Sequence, residues 1–384
     1  MGTYPSFAFT PDDSAIIIWA AGKIWHVPLS VNGLGERVGH GEPQIIPFTA
    51  HIEKRLAETR SSKTDLLKLE ASETQRLHAL VDLAVDDEGN RIVFQGAGVS
   101  YYLDLNNSAS PKAKVASKVP VLRPELAYHS PSFVPRNNEI VIHSRWSDTN
   151  FSTFEIADLS SGKAYELQGL PLGRYILPTI CGCTGSNRQI AFVRSGGDLL
   201  SGSIVATANP GLYIGEITLP DSSYIPEEVS IKNVRLIESD FQSDGSLKFL
   251  DGNKRLLVNQ GSRSFIIDLA SGPDAFGNYK QKTVATGLMA SEVSVSPKQD
   301  KVAFVDFFNV FVVDAANAGG GPIWSKPGNA TKGLARLSLD GGHNVQWNSK
   351  GSKVFWLLGE LILTELPDRS LMFRRPISTF VRCV

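Results

Sequence analysis

Seven histidines, three cysteines and a few paired charges are the side chains of this 384-residue chain that could carry chemistry. The histidines stand at 26, 40, 51, 78, 129, 143 and 343, with no His-x-His pair to start a divalent metal site. His78, His129 and His343 fall at or just before the starts of apolar, strand-like stretches. Tyr4, Tyr175 and Glu292 occupy comparable positions. Neutral imidazole and phenol groups donate or accept hydrogen bonds to hydroxyls and carbonyls. The six therefore make a candidate ligand site for an oxygenated organic molecule rather than a phosphate. HSRWSDTNF (143–151) is a second constellation, in which Arg145 offers a cation and Trp146 a flat aromatic face. Its alternative is a structural Trp beside a salt-bridged Arg.

Other chemistry is poorly represented. Cys181-Gly182-Cys183 lacks the two intervening residues of a redox motif and the second pair that zinc needs, so a buried or partly buried turn is expected. Pairing of Cys383 with either thiol would require an oxidising compartment. Neither a GxSxG elbow nor a P-loop occurs, and the Gly-rich GLGERVGHG (33–41) fits no nucleotide fingerprint.

The elements that must position these residues form a repeat. An apolar stretch runs into a polar turn, then a strand, then a second strand often closing on Asp-Leu. The copies cover 4–29, 81–105, 130–159, 177–197 resuming at 211–219, 245–269, 291–314 and 343–366. Each alternates Val, Ile, Phe, Tyr and Trp with smaller or polar residues, the period of a strand. Turns such as PDDS, DDEGN, DGNK and SKGSK supply fixed-φ and positive-φ positions. Copies that start about 40 to 70 residues apart, with a longer first interval of 77, have the spacing of four-stranded propeller blades. One blade cannot bury both faces alone, so neighbours must stack around an axis until the ring closes. The expected fold is thus an all-β propeller of seven blades, one domain over 1–384. The first strand of each blade would line the axial channel, bringing the six rim residues to one opening. The tail near 360–376 would close the ring beside Tyr4 to Phe9. The stretch 50–78 is charged and lacks β-branched runs, so it reads as a partly helical insertion, a connector or a lid over one face.

Composition narrows the function. Lys plus Arg number 38 and Asp plus Glu 39, a net charge of −1, which argues against neutralising nucleic-acid phosphates. No stretch approaches the roughly 20 apolar residues of a membrane helix, so neither a nucleic-acid nor a membrane partner is expected. The start, MGTYPSFAFTPDD, has no basic or apolar leader regions. A cytoplasmic protein and a secreted one whose signal peptide has been removed both remain open. A hydrophobic share of 42% is enough for a large core.

FTPDD (9–13), SVSPKQD (294–300) and QWNSKG (346–351) resemble the TolB-like (PD40, WD40-like) propeller blade. AAGKIWHV (20–27), IIPFTAHIEKRLAET (45–59) and LDGGHNVQWNSKGSKVFWLLGE (339–360) resemble the propeller region that precedes the catalytic barrel in a group of amidohydrolases. That barrel's metal site needs a His-x-His pair, and only 24 residues follow Glu360. The resemblance therefore implies the fold and withholds the activity. Architecture and size also resemble stand-alone fungal propellers of natural-product pathways, the hetero-Diels–Alderases. The expectation is a small-molecule site in the axial channel for a polyketide- or terpenoid-like ligand. That resemblance adds a metal-independent, cofactor-free cyclase, working by orientation and hydrogen bonds to developing charge. No catalytic residue carries over. The alternatives are a protein-interaction propeller and an accessory protein derived from the amidohydrolase family.

Overall fold

Alternating apolar residues between Asp-, Asn- and Gly-bearing turns give the chain antiparallel hairpins almost throughout. Gly89 in DDEGN and Gly252 in DGNK adopt φ of 72° and 77°, the left-handed conformation that turn residues with a Cβ enter at a cost. The computed structural model describes residues 6–55, 65, 67, 71–72, 77–106, 114–196, 209–219, 228–239, 241, 245–318, 321–365 and 377–383. Tyr4 and most of the expected helical stretch 50–78 lie outside these described residues. Among the described residues no helix is long and apolar enough to cross a membrane.

The chain divides into two compact units, Met1–Glu70 and Ala71–Val384, each described by itself. The first holds one meander, Ser6–Phe9, Ala15–Ala20, Lys23–Val31 and Arg37–Gly39, with Gln44–Ile46 paired to Lys23–Val31. Its faces carry exposed apolar side chains, among them Phe7, Trp19 and Ile45.

The second unit is a β-propeller in which the described residues form six four-stranded blades: blade I over 81–118, II over 127–168, III over 174–238, IV over 246–286, V over 292–336 and VI over 343–383. Six apolar clusters hold it, one per seam between neighbouring blades. Phe154 of blade II meets Tyr175 and Phe192 of blade III. Val302 and Phe304 of blade V pack with Leu257 and Ile266 of blade IV. Ile92 and Phe94 of blade I pack with Phe355 and Leu357 of blade VI, and that seam closes the ring. Each fully buried large apolar side chain contributes about 1.5–3 kcal/mol.

The expected count of seven is not confirmed, because the blade VI–blade I seam joins the second copy of the repeat to the last. Most of the tail expected to close the ring beside Tyr4 to Phe9, 366–376, lies outside the described residues. Ile377–Cys383 pairs in parallel with Lys114–Lys118, the outer strand of blade I. Closure by packing and by this pairing removes the edges that an open stack of sheets would expose.

Candidate functional site

The inner strands of the six blades are Val81–Val85, Ala127–Val134, Arg174–Ile180, Ser246–Leu250, Glu292–Val295 and His343–Trp347. Four of them share a device that spacing does not reveal. Blades I, II, III and VI each carry a bulge just inside the strand start. At each bulge one residue takes positive φ: Asp82 at 53°, Ser130 at 50°, Leu177 at 53° and Asn344 at 56°. A bulge turns the following side chains to new directions. It puts Val81, His129, Ile176 and His343 in one register, with Tyr175 one residue out of it.

Polar side chains at this rim also stitch blade to blade. Asp82 Oδ2 accepts the Ser130 N–H at 2.8 Å, and Asn344 Oδ1 accepts the Leu83 N–H at 2.9 Å. Glu292 takes two, from the Asn344 N–H at 2.8 Å and the Val345 N–H at 3.0 Å. Replacing Glu292 by Gln puts an amide donor where one of these N–H groups points. The expected loss is about 1–3 kcal/mol of unfolding free energy; a denaturation midpoint equal to wild type would show that the stitch contributes nothing.

Within this collar lies a channel with two connected halves, both walled by Ala84, Ser132, Thr179 and Ser294. The wider half, about 510 Å³, opens at the strand starts and is lined by Asp82, His129, Ile176, Ser291, Glu292 and Asn344 among others. The narrower half, about 340 Å³, lies toward the strand ends. Its wall includes Asp86, Asp87, Arg136, Lys248 and Asp251.

Of the eight predicted site residues, His129 and Glu292 line the wider half. His129 Nδ1 lies 3.4 Å from Gln95 Nε2. With the Gln95 amide as donor, Nδ1 accepts and Nε2 carries the ring proton. Glu292 faces the cavity, with both oxygens already accepting backbone N–H groups.

The others that the structure describes are placed elsewhere. Tyr175 is 2% exposed in the seam between blades II and III; its hydroxyl donates to Pro171 O at 2.8 Å, and burial pushes its pKa up. His343 is half-buried, opposite Leu357, and is not part of the cavity wall. His78 is exposed, three residues before the inner strand of blade I. Tyr4 is outside the described residues. Arg145 sits on the second strand of blade II, paired with Glu155 and, at 2.7 Å, with Glu166. Trp146 donates its indole N–H to Asp148 at 2.9 Å and stacks under Arg174.

Sequence reasoning passed over Lys248. A lysine near a strand start reads as solvated, and only its third place in the inner strand of blade IV signalled the channel. Its Nζ donates to Trp347 O of blade VI at 3.3 Å. Cys181 and Cys183 form a disulfide, and Gly182 between them borders the narrower half. Among the described residues no group of three or more His, Cys, Asp and Glu side chains is placed to hold a metal ion.

No protein-family model matches the sequence, and no curated protein matches it. Solved structures similar to it include β-propellers. TolB from Acinetobacter baumannii is 12% identical, with 95% of this chain and 76% of that one covered and a TM-score of 0.41. The Cps50 (Swd1) β-propeller domain of Myceliophteria thermophila is 11% identical, with 91% and 92% covered and a TM-score of 0.41. A gluconolactonase from Xanthomonas campestris is 13% identical, with 76% and 86% covered and a TM-score of 0.45.

Proposed function

We propose that this protein binds a small organic molecule in the wider half of its axial channel. The observation that carries this reading is the cavity of about 510 Å³ into which the strand starts project His129 beside apolar Ile176, Leu177 and Val293. That volume lies within the roughly 300–1,000 Å³ range of small-molecule sites. The ring N–H of His129 supplies a donor, and Ser291 and Ser294 hydroxyls supply groups that donate or accept. An apolar body bearing a few hydroxyl or carbonyl oxygens, as in a terpenoid or polyketide, matches such a wall better than a multiply charged phosphate. The narrower reading, a cofactor-free cyclase of the hetero-Diels–Alderase type, rests on resemblance in architecture and has no residue to carry it.

The test is a panel of oxygenated terpenoids and polyketides screened for a rise in melting temperature, followed by titration of the hits. Replacing His129 by Ala is expected to weaken a channel ligand about tenfold, the worth of one hydrogen bond. Its melting temperature without ligand should change little, because His129 is half-buried and packs in no core cluster. A panel without hits, or hits whose affinity the variant leaves untouched, would sink this reading.

A second reading, a protein-interaction platform, is favoured by one feature. Phe307 and Phe308 form the turn between the second and third strands of blade V at φ of 46° and 68°, exposed by 58% and 85%. Asn-Gly is the usual choice there, and bulky residues held at positive φ point to a function for the strained turn. Strand direction puts Phe307 and Phe308 at the same end of the ring as the mouth of the wider half.

A further inference from the structure

The narrower half of the channel holds an amine in an unusual setting. Lys248 projects from the inner strand of blade IV and reaches Trp347 O of blade VI. The charged groups that share its cavity wall are Asp86 and Asp87 from blade I, Arg136 from blade II and Asp251 from blade IV. The acids of blade I have other partners. Asp86, 2% exposed, accepts the Asn90 N–H at 2.8 Å and the Asn138 amide at 3.2 Å. Asp87 accepts the Arg136 N–H at 2.8 Å. Among the described residues neither forms a salt bridge that would fix the ammonium in its charged form.

We propose that Lys248 captures an aldehyde or ketone as an imine in the narrower half of the channel. This rests on the channel being a ligand site, because the carbonyl must enter through it. The neutral amine's lone pair attacks the carbonyl carbon. A C–N bond forms, and a proton passes from nitrogen to oxygen to give a carbinolamine. The hydroxyl then leaves as water, taking one proton, and C=N remains. Amine plus carbonyl gives imine plus water, with no oxidant or reductant consumed. Asp86 and Asp87, which share the cavity wall with Lys248, are the carboxylates with which the proton can be exchanged.

Burial supports the step by drawing the Lys248 pKa down to about 8, against the opposing pull of Asp87 and Asp86. An ordinary lysine at pH 8 is less than about 1% neutral, whereas a group of pKa near 8 is roughly half neutral. A lysine desolvated in this way, half-buried in a cavity wall, is of the kind that forms Schiff bases.

The experiment incubates the full chain with benzaldehyde and sodium cyanoborohydride, which reduces an imine to a stable benzylamine, and maps the modified lysines by mass spectrometry. Lys248 should be labelled about tenfold or more faster than any exposed lysine, with a rate that rises to half its maximum near pH 8. Labelling at the pace of surface lysines, or a rate still climbing at pH 10, would overturn the proposal. Labelling without any other ligand, read beside the terpenoid and polyketide panel run on separate samples, separates the two readings. A hit that binds while Lys248 stays unlabelled overturns the imine and leaves the channel site standing. Fast labelling of Lys248 with no hit in the panel supports the imine and counts against the wider half as the site. Lys248→Met, folded by melting temperature, should lose the fast-labelled position without gaining another.

Discussion

Replacing Glu155 by Ala is expected to destabilise the propeller by about 3–5 kcal/mol, the cost of removing one partner from a buried ionic cluster. Glu155 lies on the third strand of blade II with no exposed surface. It accepts hydrogen bonds from the Arg145 guanidinium, from the Tyr128 hydroxyl at 3.2 Å and from the Leu122 N–H at 3.1 Å. Arg145 is 14% exposed and would keep only the half-exposed Glu166. The Leu122 N–H would lose its acceptor inside the protein. Glu155→Gln keeps the shape and one acceptor, so it should cost less than the alanine variant. Denaturant unfolding at neutral pH measures both. A loss below about 1 kcal/mol for the alanine variant would put this cluster with ordinary surface ion pairs. The same cluster is why Arg145 and Trp146 make a poor ligand site: the cation faces two carboxylates.

Stability is expected to fall as pH drops from about 6.5 toward 3, with His143 the cause of one proton's worth of the slope. His143 is fully buried on the second strand of blade II, with Nδ1 3.2 Å from Ser100 Oγ and its ring 4.6 Å from that of Tyr128. Its Nε2 is buried, with no hydrogen-bond partner among the described residues. Burial, and then the charge of Arg145, lower its pKa from 6.5 to about 3. The unfolded chain takes up a proton below about 6.5, and the native protein does so only near 3. A depressed native pKa therefore withdraws stability as pH falls, by about 1.4 kcal/mol per pH unit within that window. Carboxylates add slopes of their own, so the informative quantity is a difference. Between pH 7 and pH 5 the wild type should lose about 2 kcal/mol more unfolding free energy than His143→Gln. Equal losses would mean that the imidazole is protonated in the native state at pH 5.

These two effects come from a region that the sequence described only locally. HSRWSDTNF was legible as strand and turn, and the salt-bridged alternative for Arg145 could be stated from it. That His143 faces Ser100 of blade I and Tyr128 of its own blade could not, because no local pattern says which strands become neighbours.

The rim shows the same division. His129 and His343 were rightly placed near the starts of inner strands, and both stand immediately before a positive-φ residue. Tyr175 precedes Leu177 by two positions rather than one, which points it into the seam with Phe154 and Phe192. A one-residue shift in register reverses the face of a strand, and bulges at Asp82, Ser130, Leu177 and Asn344 leave little trace in composition. Glu292 was found by position, but its two backbone partners depend on how blade VI docks against blade V.

The sequence by itself determined that this chain folds into stacked four-stranded sheets. Period-2 alternation and turn residues act over a few neighbours, and each copy of the repeat states them anew. It also determined that apolar sheet faces need neighbours to cover them, which a closed ring supplies. Only the tertiary structure decided where. The copy at 4–29 reads like the others, yet the seam that closes the propeller joins Ile92 and Phe94 to Phe355 and Leu357. The fit of those side chains is a property of two surfaces about 260 residues apart in the chain. The chemistry at Lys248 has the same origin. Its lowered pKa comes from the six blades meeting around one narrow space, and desolvation is set by that enclosure rather than by the residues beside it in sequence.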